Sequence, residues 1–174
     1  MSSIDRADEL ADAWAKILRG HPIADQLFYR ASEWGDWSKI WHVCGIGRAV
    51  AVRDPQIALR LSLALGIESA FVNGFVKSLF KRDRPILEGE RPLKLRQPKT
   101  SSFPSGHASS AFMAAALLAD EYPPLKPLYY GAAAVVAYSR IHVRIHHASD
   151  VAGGAAVGVG LGELAKRVLP LRSS

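Results

Sequence analysis

Polar and apolar residues alternate along this chain in long blocks, and the blocks predict helices. Near the start, Ile4, Leu10, Trp14, Ile17 and Leu18 recur at helical spacing between Asp5, Arg6, Asp8, Glu9 and Asp12. That pattern predicts an amphipathic helix, suited to a membrane surface or to packing on a domain. The same acidic residues interrupt any apolar run of a secretory signal. A second short helical stretch, about Asp25 to Glu33, follows Gly20-His21-Pro22 and ends near Gly35. Stronger apolar segments then run roughly Ser38–Val52, Pro55–Leu79, Pro104–Ala119, Leu125–Val143 and Ala148–Leu169. Each break carries turn or helix-start chemistry, at Asp54-Pro55, Arg84-Pro85, Phe103-Pro104 and Tyr122-Pro123-Pro124. No strand-like alternation of useful length and no internal repeat interrupts this helical pattern.

A membrane-spanning helix needs ~20 mainly apolar residues. Pro55–Leu79 is long enough, and its Arg60 and Glu68 are predicted to face the bundle interior or a polar cavity. Gly154, Gly158 and Gly162, at steps of four, form a small-residue ridge that lets helices approach closely. Such a helix fares poorly in water, which favours a membrane setting. The stretch Glu88 to Ser102 is polar, basic and proline-containing, and reads as a functional loop. The expectation is an all-α, integral-membrane helical bundle of about five spanning helices, with an amphipathic N-terminal segment over residues 1–34 and the main domain over 35–174.

Composition refines this. The 174 residues suffice for one domain. Apolar residues make up 49% of them, although the mean hydropathy is only +0.05 because charges crowd into Met1–Lys39 and Lys81–Lys99. A net charge of +6 and a pI near 9.7 point to nucleic acid, anionic lipid or a phosphorylated substrate as partner. No nucleic-acid motif is present, so the first is set aside. The lone Cys44 excludes an intramolecular disulfide and a cysteine-based zinc site, and reads as packing.

Candidate chemistry lies in three clusters, each at an end of an apolar segment. Lys77 is followed seven residues later by Arg84-Pro85. That spacing, nearly two helical turns, predicts a shared face ended by the proline. The pair reads as a phosphate clamp or as a basic helix end near lipid headgroups. Pro104-Ser105-Gly106-His107 opens the next helix. Its free N–H groups and dipole suit an anion, with His107 either a proton donor beside it or a cap. The third cluster is Ser139-Arg140, His146 and Asp150. A carboxylate four residues after an imidazole can fix its tautomer and free the other nitrogen to attack; Asp150 also suits a helix N-cap.

In this order and at these helix ends, the three clusters resemble the tripartite signature of the type 2 phosphatidic acid phosphatase family, over about Gly35 to Leu169. The resemblance implies a bundle with its active site at one membrane face. It implies hydrolysis of a phosphomonoester or diphosphate of a membrane lipid through a phosphohistidine, with no metal or other cofactor. His146 would be the nucleophile, Asp150 its orienting carboxylate and His107 the acid for the leaving oxygen. Lys77, Arg84, Arg140, Ser105 and the Gly106 amide would hold the phosphoryl oxygens. The implied partners are a membrane lipid substrate and the bilayer, with oligomeric state left open. One departure is Arg144, where members often carry glycine two residues before the nucleophile. It reads as a rim cation for a second acidic group, or as a surface arginine reaching headgroups. His142 and His147 receive no role.

Rival readings use fewer of these residues. A metal hydrolase could employ His142, His146 and Asp150 at i, i+4 and i+8, but would leave Lys77, Arg84, His107 and Arg140 unexplained. A vanadium haloperoxidase shares the anion-site pattern but is soluble and larger. A non-catalytic basic membrane adaptor would need only the charges. If five segments span, more Lys and Arg lie on the active-site face, which predicts that face to be cytoplasmic. The lipid remains open between phosphatidic acid, phosphatidylglycerol phosphate, a polyprenyl diphosphate and a polyprenyl-linked phosphosugar.

Overall fold

Local chemistry starts the helices where the pattern places them. The computed structural model describes residues 2–86 and 91–170, and its regular elements are all helical. Helix α1 (Ser3–Leu18) opens with a capping box in which Ser2 Oγ accepts from the Asp5 amide and the Asp5 carboxylate accepts from the Ser2 amide. Helix α2 (Pro22–Gly35) begins on a proline, whose missing N–H costs nothing in a first turn. A short 3₁₀ turn, Asp36–Ser38, with Trp37 and Ser38 in the left-handed region, redirects the chain into α3 (Lys39–Val52). Asp54 caps α4 (Pro55–Ser69) by accepting from the Gln56 amide.

Helix α4 does not continue as one α-helix to Leu79. It widens into a π-wound segment, Ala70–Phe75, and tightens into a 3₁₀ turn, Val76–Leu79. After the connecting segment come α5 (Gly106–Glu121), α6 (Lys126–His142) and α7 (Ala148–Val168). Residues 91–102 are neither helix nor strand, as anticipated for the basic loop; 88–90 lie outside the described residues.

Helix α5 is the axis of the bundle. Residues from Ala108 to Ala119 are buried along nearly its whole length, and α7 and α6 pack most extensively on it. The glycine ridge explains the α5–α7 contact. A Cβ on Gly154 or Gly158 would run into the backbone carbonyls of Ser105 and Ser109, and one on Gly162 would lie 2.7 Å from Ala116 Cβ. Only glycine lets the two backbones come this close. Trp41, Leu61, Leu65 and Val136 fill the space around α5 and share a core with its Leu118.

The buried charges of α3 and α4 find partners at one end of α5. Arg60 donates to Asp120 at 2.8 Å, and Arg48 donates to both carboxylate oxygens of Glu121 and lies 4.3 Å from the centroid of the Tyr122 ring. Glu68 instead faces a polar cavity near the other end of α5, where Gly106 and His107 also line the wall. Outside, Leu59, Leu63, Ile67, Phe71, Phe75 and Leu79 form an exposed apolar row along α4. Among the described residues, Pro55–Leu79 is the one helical segment that is both long and apolar enough to cross a membrane. At ~1.5 Å per residue, the 14 residues of α3 give about 21 Å, short of a ~30 Å hydrocarbon core.

Candidate active site

Five chain segments deliver the candidate residues to one end of the bundle. These are the 3₁₀ turn that follows α4 and its π-wound segment, the extended stretch after that turn, the start of α5, the end of α6 with its following turn, and the start of α7. A cavity of about 210 Å³ there is lined by Lys77, Gly106, His107 and His146, with Glu68 and Asn73 on its wall.

His146 sits just before α7, and Asp150 lies in the first turn of that helix. Their closest approach is 3.6 Å, between Nδ1 and Oδ2. Ser102 bridges them, donating to Asp150 Oδ2 at 2.5 Å while its Oγ lies 3.3 Å from His146 Nδ1. Asp150 also accepts from the His147 amide at 2.8 Å, so it caps α7 as well as facing the imidazole. Its other oxygen accepts from Arg82 at 2.6 Å. Nδ1 is thereby turned toward the carboxylate, and Nε2 faces Arg84 at 3.2 Å. Burial is the main force holding the His146 pKa well below its ordinary value, with Arg140, Arg84 and Lys77 pushing the same way against the nearby Asp150 carboxylate. The resting ring is therefore neutral at pH 7, the form a nucleophile requires.

Lys77 and Arg84 reach this place by a different route from the one their spacing suggests. The helix stops at Leu79, so the seven-residue interval does not set a common helical face. Phe80 turns extended and its ring meets Phe103 edge-on at 4.8 Å. The segment then pairs with the 101–102 stretch, as the Ser102 amide donates to the Arg82 carbonyl at 2.9 Å and the Arg82 amide donates to Ser101 Oγ at 3.2 Å. This tether makes the extended path, not helical phase, position Arg84. Its guanidinium donates to the carbonyls of Ile145, Thr100 and Ser101, pinning two motif loops together.

Arg140 is 1% exposed and donates to Ser32 Oγ through one nitrogen, while its Nε and other terminal nitrogen have no partner. Arg84 Nε is likewise buried and unpartnered. Buried guanidinium donors left unpaired are costly, and an incoming anion satisfies them. Ser105 is fully buried, its Oγ accepting from the Ala108 amide as the cap of α5; Pro104 stands just before that cap rather than inside the first turn. At Gly106 a Cβ would lie 2.6 Å from Asn73 Oδ1, so any larger residue would displace the Asn73 side chain of the π-wound segment.

His107 lies on the cavity wall with its Nε2 3.1 Å from Asp36 Oδ1, outside hydrogen-bonding alignment. Burial pushes the Asp36 carboxyl up, but the close approach and charge of His107, with the charges of Arg140 and Arg96, outweigh it and hold the group below the usual carboxylate range. Asp36 had no motif to announce it; its only signal is its place at the end of a short helix.

Arg144 does not line this cavity. It adopts φ 51, in the left-handed region that favours glycine, and its guanidinium points toward Asp12 of α1 at 3.8 Å. Arg144 and His146 border a second cavity of about 420 Å³ beneath α1. Asp8 closes that side, accepting from the Ser149 amide and hydroxyl and from Arg82 at 2.6 Å. Arg82 thus joins α1 to Asp150, a link that charge pattern alone did not reveal. His142, the third ligand of the metal reading, pairs with Asp25 at 2.7 Å, and no cluster of three metal-binding side chains occurs among the described residues.

The sequence pattern of the PAP2 superfamily matches residues 57–173. The chain belongs to the PAP2 superfamily. A lipid A 1-phosphatase of Porphyromonas gingivalis is 46% identical over 68 residues, 37% of this chain and 15% of that protein. YbjG of Escherichia coli, named for undecaprenyl-diphosphatase activity, is 31% identical over 105 residues, 60% of this chain. The match spans 52% of that relative's length. Two solved structures share the fold at 24% identity. The transmembrane PAP2-type phosphatidylglycerolphosphate phosphatase of Bacillus subtilis has a TM-score of 0.71, covering 100% of this chain and 90% of its own. LpxE of Aquifex aeolicus has a TM-score of 0.72, covering 96% of each chain.

Proposed function

We propose that this PAP2 protein is a membrane lipid phosphatase that works through a phosphohistidine on His146 and needs no metal. The observation that carries the reading is the neutral, buried His146 whose Nε2 meets Arg84 at 3.2 Å, beside the unpartnered Nε of Arg84 and the unpartnered donors of Arg140. Phosphoryl transfer depends mainly on positioning and charge stabilisation, which Lys77, Arg84, Arg140 and the α5 N-terminus can supply. His146 Nε2 attacks phosphorus and the bond to the lipid oxygen breaks, with the proton for that oxygen coming from His107. Water then gives a proton to His107 and attacks phosphorus, breaking the N–P bond and releasing phosphate. Asp150 stabilises the charge that develops on the ring.

The exposed apolar row that starts on α4, the glycine ridge of α7 and the relatives' lipid substrates support an integral-membrane bundle in which Pro55–Leu79 spans and the other helices pack around it. Residues 1–34 then form a surface segment. The experiment is phosphate release by detergent-purified protein from phosphatidic acid, phosphatidylglycerol phosphate, a polyprenyl diphosphate and a polyprenyl phosphosugar. Turnover should survive EDTA, stop with orthovanadate and vanish in His146→Ala. Loss of all turnover in EDTA, restored by a divalent ion, would return the metal-dependent reading.

A further inference from the structure

Glu68 is out of place in the wall of an anion site. Lys77, Arg96, Lys99, His107 and His146 line the same cavity, and a carboxylate among them opposes a bound phosphate. Glu68 is nevertheless 2% exposed, with Oε1 buried and unpartnered. The Ser109 hydroxyl of α5 lies beside it but is likewise buried without an aligned partner, so a ligand can supply the donor that Glu68 Oε1 lacks.

The winding of the helix puts it there. Nine residues separate Glu68 from Lys77, about two and a half turns of α-helix, which would leave them on opposite faces. The π-wound and 3₁₀ turns between them change that phase, and both line the cavity. The same departure brings in Asn73, whose Nδ2 donates to Ser69 Oγ at 3.3 Å. Trp37, 73% exposed, closes another side with the Arg96 guanidinium 4.4 Å over its ring. A carboxylate, an amide, a hydroxyl and an aromatic face are what a hydroxylated group needs beside its phosphate. The phosphate of a phosphatidate or a polyprenyl diphosphate has no neighbouring alcohol hydroxyl to offer.

Resting on the phosphatase reading, we propose that Glu68 accepts a hydrogen bond from a hydroxyl next to the scissile phosphate ester, so that the enzyme selects phosphorylated sugar or glycerol units. The probes are octyl ribofuranoside 5-phosphate, octylglycerol phosphate and octyl phosphate, each given to the detergent-purified full chain. A site that binds a hydroxyl discriminates strongly against substrates without one. Wild type should therefore favour at least one hydroxylated ester over octyl phosphate by at least about tenfold in kcat/KM, and the better one identifies the unit. Glu68→Ala should bring that ratio close to one. Glu68→Gln, which keeps one acceptor, should fall between, and it carries the comparison if the alanine variant does not fold. Equal wild-type rates on all three esters would overturn the assignment. So would a folded variant that keeps the wild-type ratio, or one that loses all three activities in the same proportion. If wild type releases phosphate from no ester and from no lipid phosphate, the phosphatase reading itself has failed.

Discussion

His146 and Asp36 show how burial and charge divide the ionisation work at single residues. The His146 pKa lies well below its unfolded value, first through burial and then through the surrounding cations. Its ring should therefore remain neutral at pH 6, and nitrogen chemical shifts of labelled protein check this; titration at or above 6.5 would contradict it. The linkage follows in sign. Between the folded pKa and about 6.5 the unfolded chain binds more protons, so stability falls as pH drops through that window. Asp8, Asp12 and Asp36 are depressed carboxylates, whose contribution is present above about 3.9 and lost as pH falls further. The melting temperature in detergent should accordingly decline below pH 6.5 and again below about pH 4. Asp36 faces His107, so Asp36→Asn should slow an alkyl phosphate by about tenfold or more, within the range of general acid catalysis. A p-nitrophenyl ester, which leaves without protonation, should be slowed less. Equal slowing of both esters would make Asp36 structural only.

At the level of elements, close approach and side-chain latches decide what each helix does. The α5–α7 contact depends on Gly158, where a Cβ would meet the Ser109 backbone, whereas Gly160 on the same helix has nothing within 4 Å. Gly158→Ala should destabilise by about 1–3 kcal/mol, as overpacking does. Gly160→Ala should be neutral or stabilising by up to about 1 kcal/mol, since alanine is the better helix former. Thermal melts of the two variants compare them directly. Helix α1 carries its apolar residues Ile4, Leu10, Trp14 and Ile17 outward, and Asp8 holds its polar face on Ser149 and Arg82. Because Arg82 also donates to Asp150, loosening α1 reaches the nucleophile's partner. Asp8→Ala should lower kcat/KM by about tenfold, the worth of one charge-assisted hydrogen bond. Unchanged turnover would separate α1 from catalysis.

For the whole molecule the open matter is which side of the membrane the cavity faces. The N-terminal helices, the basic loop and the Arg144 turn share the site's end, and their Lys and Arg outnumber those at the other end among the described residues. Positive residues in short loops favour the cytoplasm, which predicts an inward-facing site. Single cysteines on a Cys44→Ala background test this at two exposed positions, Gln97 near the cavity and Gln56 at the far end. Gln56→Cys should react with an impermeant maleimide on intact cells and Gln97→Cys should not. The opposite pattern would reverse the orientation.

The sequence by itself determined the helices and their order. A proline, a capping side chain or a run of apolar spacing acts over a few residues, and such local causes survive reading along a line. It also carried the motif residues, because their chemistry is written in residue type and order. It left the mechanics of assembly unread. Nothing local says that α4 changes winding at Ala70 and so brings Glu68 beside Lys77. Nothing local says that Arg84 is placed by an extended segment tied to Ser101, or that Asp36, Ser102 and Arg82 reach His107 and Asp150. Such relations join residues up to 141 positions apart, as in the Ser149–Asp8 bond. They exist only because helices pack at distances that glycine and alanine permit, so the tertiary structure alone could decide them.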